Sequence, residues 1–233
     1  MIIVSDTAIG KDDLDNRHAE IRPDRQRSMS ASTYERAKRL FDIACSVLLL
    51  ISAMPAMLLI AVAVKSTGPG PVIFKQRRVG KEGVEFWFYK FRSMTVDSAA
   101  VRTNLAEHNQ HGYDSVTFKI KNDPRITKIG RLIRKTSLDE LPQIWNVLRG
   151  DMSLVGPRPA LPSEVARYTK TQRQRLAVIP GLTCFWQIRG RADLSFEQQV
   201  NLDLEYIEQR TFWLDFCLLV KTLPALISGR GAY

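Results

Sequence analysis

One long stretch of the chain carries no charged side chain. Residues 43–64 are 22 apolar or neutral residues in a row, with Pro55 near their middle. About 20 such residues span a hydrocarbon core about 30 Å thick, so this stretch is a candidate membrane segment. Basic residues flank it on both sides: Arg36, Lys38 and Arg39 before it, and Lys65, Lys75, Arg77, Arg78 and Lys81 after it.

The flanking charges favour a segment that enters and leaves the membrane on the same side. Lys and Arg next to a membrane segment favour the cytoplasmic face, and a single span would place one basic cluster on the opposite face. Pro55 can break a helix, and the 12 residues before it would reach about 18 Å, near the middle of the bilayer. We predict a re-entrant helix-break-helix with its kink at Pro55. An ordinary span with a proline kink remains the alternative.

The charge distribution narrows the classes of partner. The formal net charge is +10, and the first 33 residues carry −1, so the rest of the chain carries +11. A basic body joined to an apolar anchor indicates anionic lipid head groups or phosphorylated substrates, and the anchor argues against nucleic acid. Residues 1–33 are polar and without periodicity, which predicts a disordered tail. The three cysteines form no CxxC pair, so a zinc site is not expected.

The segments after the anchor predict an α+β fold that is mainly helical. Residues 72–79 and 84–92 flank Gly-Lys-Glu-Gly and predict a β-hairpin. Residues 125–135 predict a basic amphipathic helix, residues 201–210 a polar helix and residues 212–227 an apolar helix lying on a membrane surface.

Two cations share one end of the second predicted strand. Lys90 and Arg92 point to the same side of that strand, because side chains alternate between its faces. Two cations in this arrangement can bind a phosphate group. The alternative is that both side chains extend along apolar surface to reach water.

Adjacent carboxylates, Asp139 and Glu140, lie in a very basic part of the chain. Ser137 and Glu140 fit a capping box, which would give the pair a purely structural role. A helix start nearer Asp139 suits Pro142 better, and it predicts a low pKa for the acidic pair at the helix N-terminus. Such a carboxylate can act as a nucleophile or as a Mg²⁺ ligand. The buried stripe behind the pair is predicted to be Leu138, Leu141, Ile144, Trp145 and Leu148, with Gly150 ending the helix.

Arg158 is held between Pro157 and Pro159. Two prolines restrict the backbone on both sides of this arginine, and a rigidly placed guanidinium is suited to bidentate contact with phosphate. An ordinary proline turn with an exposed arginine is the alternative.

Several motifs occur together and in a characteristic order. They are YERAKRLFDI at 34–43, QRRVG at 76–80, YKFRSM at 89–94, SLDELPQ at 137–143, NVLRGDMSLVGPRP at 146–159, PGLT at 180–183 and QIRGR at 187–191. On these motifs the chain resembles the short, single-module monotopic phosphoglycosyl transferases, also called bacterial sugar transferases or polyprenyl-phosphate hexose-1-phosphate transferases. The resemblance covers residues 34–233. It departs from many members at Met54, where they have Ser, and at Cys184, where they have Gly.

The resemblance implies a function and a place in the cell. Residues 34–66 would be a re-entrant anchor, and residues 67–233 a catalytic domain on the cytoplasmic face of the bacterial inner membrane. The enzyme would transfer a sugar 1-phosphate, from UDP-galactose or UDP-glucose, to undecaprenyl or another polyprenyl phosphate. It would release UMP and start the assembly of an exopolysaccharide or another glycan. Membrane lipids are expected partners, and a homo-oligomer remains open.

The resemblance also implies roles for individual residues. Asp139 would be the nucleophile that forms a covalent phosphosugar ester, and Glu140 would help it to hold Mg²⁺. The residues expected near substrate or its phosphates are Lys90, Arg92, Arg158, Gln187 and Arg191. A non-catalytic basic membrane adaptor is the competing class, which the clustered motifs disfavour.

Overall fold

The computed structural model describes residues 31–95, 120, 123–189 and 194–228. The described part is mainly helical, as predicted. The predicted tail lies almost entirely outside these residues. The first helix, α1, runs through Ala31–Lys65 and is long and apolar enough to cross a membrane by length and composition.

Pro55 lies inside α1, which is assigned as one helix along its whole length. The helical assignment therefore continues across Pro55, and the predicted re-entrant geometry with its kink at this residue stays a prediction. A proline removes one backbone donor and disturbs one turn, whereas the hydrogen bonds on either side of that turn persist, and apolar surroundings tolerate such a defect.

Both ends of α1 pack against the body of the protein, whereas its middle does not. Near the start Asp42 and Ser46 are buried, and near the end Ile60 and Val64 are buried. Large apolar side chains between these positions are exposed: Val47, Leu48, Leu49, Ile51, Met54, Leu58 and Leu59. Apolar surface of this extent is costly to leave in water, so the middle of α1 is suited to a lipid environment.

The predicted hairpin is confirmed. Strands β1 (Ile73–Val79) and β2 (Glu85–Phe91) pair antiparallel, with Gln76 opposite Phe88. The turn contains a short 3-10 helix, Lys81–Gly83, in which Glu82 and Gly83 both have positive φ.

Two helices flank the acidic pair. Helix α2 (Lys128–Lys135) starts at Thr127, whose hydroxyl accepts a hydrogen bond from the Gly130 amide at 2.9 Å. A 3-10 helix, Leu138–Glu140, follows, and α3 (Gln143–Arg149) then ends at Gly150 with a φ of 90°. Gly150 thus ends the helix as predicted.

The predicted buried stripe is wrong at Trp145, which is 52% exposed. The prediction assumed one helix phase from Leu138 onward, but the 3-10 helix and α3 are separate elements. In α3 the buried apolar side chains are Ile144, as predicted, and Val147, which was not predicted.

The rest of the body combines a small parallel sheet with short helices. Strand β3 (Ser153–Val155) pairs with β4 (Gly181–Thr183). Gly156 and Gly181 approach so closely that a Cβ on Gly181 would lie 2.0 Å from the Gly156 nitrogen. The remaining helices are α4 (Pro162–Val165), α5 (Lys170–Arg173), a 3-10 helix Gln174–Ala177, α6 (Phe185–Arg189), α7 (Phe196–Gln209) and α8 (Phe212–Ser228).

Helices α7 and α8 correspond to the two predicted C-terminal helices. Helix α7 starts earlier than predicted because Ser195 and Gln198 form a capping box, in which each side chain accepts from the other's backbone amide. Helix α8 exposes Phe212, Trp213 and Phe216, which agrees with the prediction of an interfacial helix.

Two apolar clusters cover the hairpin from different sides. The larger one includes Phe86, Phe88, Val147, Leu154, Tyr206 and Leu218. The smaller one joins the end of α1 to β2 and α2 through Ile60, Val64, Phe91 and Ile133. The hairpin is therefore fixed between the anchor helix and the acidic pair.

Buried polar contacts join the start of α1 to the body. Asp215 accepts hydrogen bonds from Tyr34, Lys38 and Tyr206 at 2.7–2.8 Å. The Arg39 guanidinium donates to the carbonyl oxygens of Val147 and Leu148 at the end of α3. These contacts fix the anchor helix relative to the element that follows the acidic pair.

Candidate active site

The acidic pair is positioned by an unusual backbone conformation at Ser137. This residue has a φ of 55°, in the left-handed region that side chains other than glycine rarely adopt. The Ser137 amide still bonds to the Arg134 carbonyl, and the Glu140 amide bonds to the Ser137 carbonyl at 3.1 Å. The sharp turn ends α2 and starts the 3-10 helix that carries Asp139 and Glu140.

The capping-box interpretation of this segment is wrong. Ser137 precedes the 3-10 helix, but its side chain makes no capping hydrogen bond there. Pro142, not an acidic residue, directly precedes α3. The two carboxylates are therefore not used to cap a helix.

Asp139 is only 7% exposed, and its pKa is raised to about 6. Burial is the main cause, and the neighbouring Glu140 carboxylate adds to it, whereas Lys90 and Arg134 lower the pKa. The sequence predicted a low pKa from a helix N-terminus. That prediction is wrong because a three-residue 3-10 helix offers little dipole and desolvation dominates.

Lys90 lies near the end of β2, where its charge acts on Asp139. Burial lowers the Lys90 pKa to about 8, and the Asp139 carboxylate opposes that shift. The ammonium lies 5.5 Å from the centre of the Phe74 ring. Among the residues predicted to bind phosphate, Lys90 is thus the one whose charge interacts with Asp139, the candidate nucleophile.

A small cleft that is open to solvent lies beside Glu140. It is lined by Arg78, Phe88, Glu140, Gln143, Arg158, Pro159, Gly181, Leu182, Cys184 and Gln187. The structure therefore brings Glu140, Arg158 and Gln187 together, as the sequence predicted for a substrate site. Arg158 is exposed, and its guanidinium carbon lies 5.9 Å from the centre of the Trp186 ring.

Arg78 is a cleft residue that the sequence analysis did not select. It is buried, and it donates hydrogen bonds to the Pro159 carbonyl and the Gln76 side chain, both at 3.0 Å. Its Nε is buried and has no hydrogen-bond partner within the described residues. Burial and the nearby Arg158 charge lower the Arg78 pKa to about 10. The pairing of the two hairpin strands could have indicated this role, because it places Arg78 opposite Phe86, which is buried.

Asn146 is a second residue that the sequence analysis missed. It is fully buried; its amide nitrogen donates to the Trp87 carbonyl at 2.6 Å, and its amide oxygen accepts from the Tyr89 amide at 3.3 Å. The side chain thus pairs with the free edge of β2 as another strand would. This contact ties α3, which follows the acidic pair, to the strand that carries Lys90.

Arg92 is placed apart from the acidic pair. Its guanidinium donates to the carbonyl oxygens of Val64, Gly68 and Pro69 at 2.6–3.0 Å, and it therefore stabilises the end of α1. The contacts that the structure shows for Arg92 are structural, and its predicted phosphate binding stays a prediction. Arg191 lies outside the described residues.

The fit to Mg²⁺ depends on only two carboxylates. Within the described residues there is no group of three or more His, Cys, Asp or Glu side chains that could hold a metal ion. Mg²⁺ suits such a pair, because it usually binds one or two carboxylates together with substrate phosphates and water. The negative charges of Asp139 and Glu140 repel each other, and a cation bound between them would reduce this repulsion.

Comparison with known proteins identifies relatives along most of the chain. The sequence model described as "Bacterial sugar transferase" matches residues 33–229. The "Undecaprenyl-phosphate galactose phosphotransferase" of Salmonella typhimurium is 46% identical over 198 residues, which cover 84% of this chain and 41% of that protein. The "UDP-galactose-lipid carrier transferase" of Erwinia amylovora is 42% identical over 201 residues, with coverages of 84% and 41%.

A shorter relative matches along nearly its whole length. The "Exopolysaccharide production protein ExoY" of Rhizobium meliloti is 39% identical over 199 residues, which cover 84% of this chain and 88% of that protein. The chain thus spans about two fifths of the length of the first two relatives but most of ExoY.

Proposed function

Because the chain belongs to the bacterial sugar transferase family, we propose that it transfers a sugar 1-phosphate from a UDP-sugar to a polyprenyl phosphate. The observation that carries this proposal is the position of Asp139, a buried carboxylate that interacts with the Lys90 charge and adjoins Glu140, which lines a cleft together with two arginines. The names of the Salmonella and Erwinia relatives support a lipid carrier as acceptor and a UDP-sugar as donor.

The proposed reaction has two displacement steps. In the first step a carboxylate oxygen of Asp139 attacks the β-phosphorus of the UDP-sugar. The bond from that phosphorus to the bridging oxygen breaks, and UMP leaves with the electron pair. In the second step a phosphate oxygen of the polyprenyl phosphate attacks the same phosphorus. The phosphorus–aspartate bond then breaks, Asp139 is restored as a carboxylate, and a polyprenyl-diphosphate sugar is formed.

The environment of Asp139 suits a nucleophile. With a pKa near 6 the carboxylate is ionised at neutral pH, and burial removes the water that would otherwise solvate it. Phosphoryl transfer depends mainly on positioning and on cations that neutralise phosphate oxygens. Arg158 presents a guanidinium to the cleft, and Arg78 is held rigidly behind it by Pro159 and Gln76.

Mg²⁺ would be held by Asp139 and Glu140 together with the diphosphate of the donor. When bound, it would neutralise phosphate oxygens and the charge that develops on the leaving UMP. Glu140 faces the cleft, where the diphosphate would lie, so we assign this residue the role of orienting donor and metal against Asp139.

The proposed location is the cytoplasmic face of the bacterial inner membrane, with α1 as a re-entrant anchor. Both ends of α1 pack on the same body and its middle is exposed and apolar, which supports entry and exit on one side. Single cysteines at Arg36 and Ser66, introduced into a cysteine-free variant, should react with a membrane-impermeant reagent from the same side. Labelling from opposite sides would show an ordinary span, and Pro55→Ala should shift the anchor toward that span.

The sugar is proposed to be galactose or glucose. Both sugars follow from the resemblance of the chain to short enzymes of exopolysaccharide synthesis, and the Salmonella and Erwinia names support galactose. Release of UMP from a panel of UDP-sugars, in the presence of undecaprenyl phosphate and Mg²⁺, would identify the donor.

The decisive experiment traps the covalent intermediate. Protein incubated with UDP-sugar and Mg²⁺, without acceptor, should gain the mass of one sugar phosphate in intact-protein mass spectrometry. Asp139→Asn should show no gain. Asp151→Asn is the matched control, because Asp151 contacts Arg149 and Asn146 and does not line the cleft. An adduct on the Asp139→Asn variant would refute the assignment, and no UMP release by the wild-type protein with any UDP-sugar would favour the non-catalytic adaptor.

A further inference from the structure

We propose that the lipid acceptor reaches Asp139 through a second pocket beside the anchor, and that Phe74 and Lys90 form its binding site. The nucleotide of the donor and the tail of the acceptor would then lie in different pockets, whereas the leaving and attacking oxygens occupy the same position at the phosphorus. This inference rests on the proposed function and adds the location and the chemistry of the acceptor site.

The second pocket, which we call the Phe74 pocket, is open to solvent and has a volume of about 170 Å³. Its lining residues are Pro71, Phe74, Lys90, Arg92, Ser93, Met94 and Thr95. Three of them are apolar and two are cations, so the pocket suits an anion that carries an apolar tail.

Lys90 is the cation that this pocket offers to a ligand. Arg92 also lines the pocket, but its guanidinium is engaged by the three carbonyl oxygens at the end of α1. The Lys90 ammonium lies over the Phe74 ring, and Phe91, the next residue of β2, packs in one apolar cluster with Leu138, which directly precedes Asp139. A phosphate bound by Lys90 would therefore lie close to the nucleophile, with Phe74 beside the first part of its tail.

The pocket is located where the anchor leaves its apolar surroundings. Arg92 joins the pocket to Val64 and Gly68 at the end of α1, and Pro71 follows a few residues later in the chain. Ile73 and Phe91, which flank the pocket in sequence, pack in the same apolar cluster as Ile60 and Val64 of α1. A phosphate with an isoprenoid tail could enter here while its tail stays in the bilayer.

The cleft beside Glu140 differs in chemistry from the Phe74 pocket and shares no lining residue with it. Its side chains include Arg78, Arg158, Gln143 and Gln187, which can bind the phosphates and the polar groups of a nucleotide sugar. We therefore assign the donor to the cleft and the acceptor to the Phe74 pocket.

The test separates the two half-reactions. Phe74→Ala should raise the KM for undecaprenyl phosphate at least tenfold. It should leave unchanged the burst of UMP that the protein releases from UDP-sugar without acceptor. Phe74→Leu, which keeps an apolar side chain, should raise the KM much less. An unchanged UMP burst also shows that the variant is folded.

Trp87→Ala is the matched control. Trp87 is an exposed aromatic residue of the same hairpin, and it also packs against a cation, Arg77, at 4.3 Å, but it does not line the Phe74 pocket. It should leave the KM for undecaprenyl phosphate unchanged.

Three outcomes would overturn the inference. They are an unchanged acceptor KM in Phe74→Ala, an equal loss in Trp87→Ala, and a loss of the acceptor-free UMP burst in Phe74→Ala. Failure of the proposed function would appear differently, because the wild-type protein itself would then release no UMP.

Discussion

Asp139 and Asp203 are both buried carboxylates whose pKa burial raises to about 6, but the structure surrounds them differently. Asp203 is bound by Arg175, which donates from Nε at 2.8 Å and also contacts it through a second nitrogen. Arg175 is itself buried and packs against Tyr168 and Phe196. Within the described residues, Asp139 has no comparable side-chain donor, and its nearest cations act at longer range.

The difference separates a structural carboxylate from a reactive one. An arginine cannot give up its proton in a protein, so Asp203 and Arg175 depend on each other as a fixed pair. Lys90 has a pKa near 8 and can lose its charge; it lines the Phe74 pocket, and Glu140, the neighbour of Asp139, lines the cleft. Burial alone therefore does not indicate catalysis, whereas burial without a fixed counter-ion next to a cleft does.

The largest expected effect is on turnover. Asp139→Asn should reduce the rate of UMP release about 1,000-fold or more, because the amide cannot act as the nucleophile. Asp203→Asn should stay within tenfold of the wild-type rate at a temperature where it is folded. Steady-state assays with saturating UDP-sugar and undecaprenyl phosphate would measure both. Equal losses in the two variants would remove the proposed distinction.

The same two substitutions should affect stability in the opposite order, with the larger loss in Asp203→Asn. Asp203→Asn should lower the free energy of unfolding by about 3 kcal/mol, because the Arg175 charge stays buried without its counter-ion, and this cost exceeds the gain from removing the desolvated Asp203 carboxylate. Asp139→Asn should leave stability unchanged or raise it. A carboxyl whose pKa is raised on folding destabilises the folded state above that pKa, and the amide removes this effect at pH 8. Denaturant titration in detergent would compare the two variants.

Glu140 should affect turnover through the metal. Glu140→Gln should lower the rate about 100-fold and raise the Mg²⁺ concentration needed for half-maximal activity, because one of the two candidate ligands loses its charge. Excess chelator should abolish turnover by the wild-type protein. Full turnover in chelator, or an unchanged Mg²⁺ requirement in the variant, would exclude this role.

The pH dependence should report both members of the Asp139–Lys90 pair. We expect kcat/KM for the UDP-sugar to fall about tenfold per pH unit below about 6, as Asp139 becomes protonated and loses its nucleophilic charge. The value of kcat/KM for undecaprenyl phosphate should fall above about pH 8, as Lys90 loses the positive charge that binds the acceptor phosphate. Lys90→Arg should move the alkaline limb to higher pH, because a guanidinium stays charged there. An alkaline limb that does not move would assign it to another group.

The smallest effect is expected at Arg158. Arg158→Lys keeps the charge but loses the planar pair of donors, so kcat/KM for the UDP-sugar should fall about tenfold, which corresponds to about 1.4 kcal/mol. Arg167→Lys is the matched control, because Arg167 is an exposed arginine like Arg158 and does not line the cleft. A rate equal to that of the wild-type protein would mean that Arg158 contributes only its charge.

Features that depend on neighbouring residues were predictable from the sequence. The uncharged stretch before Lys65 predicted the apolar helix, the Gly-Lys-Glu-Gly segment predicted the hairpin, and Gly150 predicted the end of α3. The acidic pair was found in the same way, because its composition and its order relative to the other motifs are local properties of the chain. Helix length, turn chemistry and side-chain alternation all arise from interactions within a few residues.

Only the tertiary structure decided how these parts are used. Arg92 donates to carbonyl groups more than 20 residues earlier, Asn146 completes the edge of a strand about 60 residues away, and Arg175 pairs with Asp203. The raised pKa of Asp139, the exposure of Trp145 and the separation of the two pockets also depend on such contacts. The physical reason is that desolvation and hydrogen bonding depend on which distant segments meet, and a linear pattern of residue types does not specify those partners.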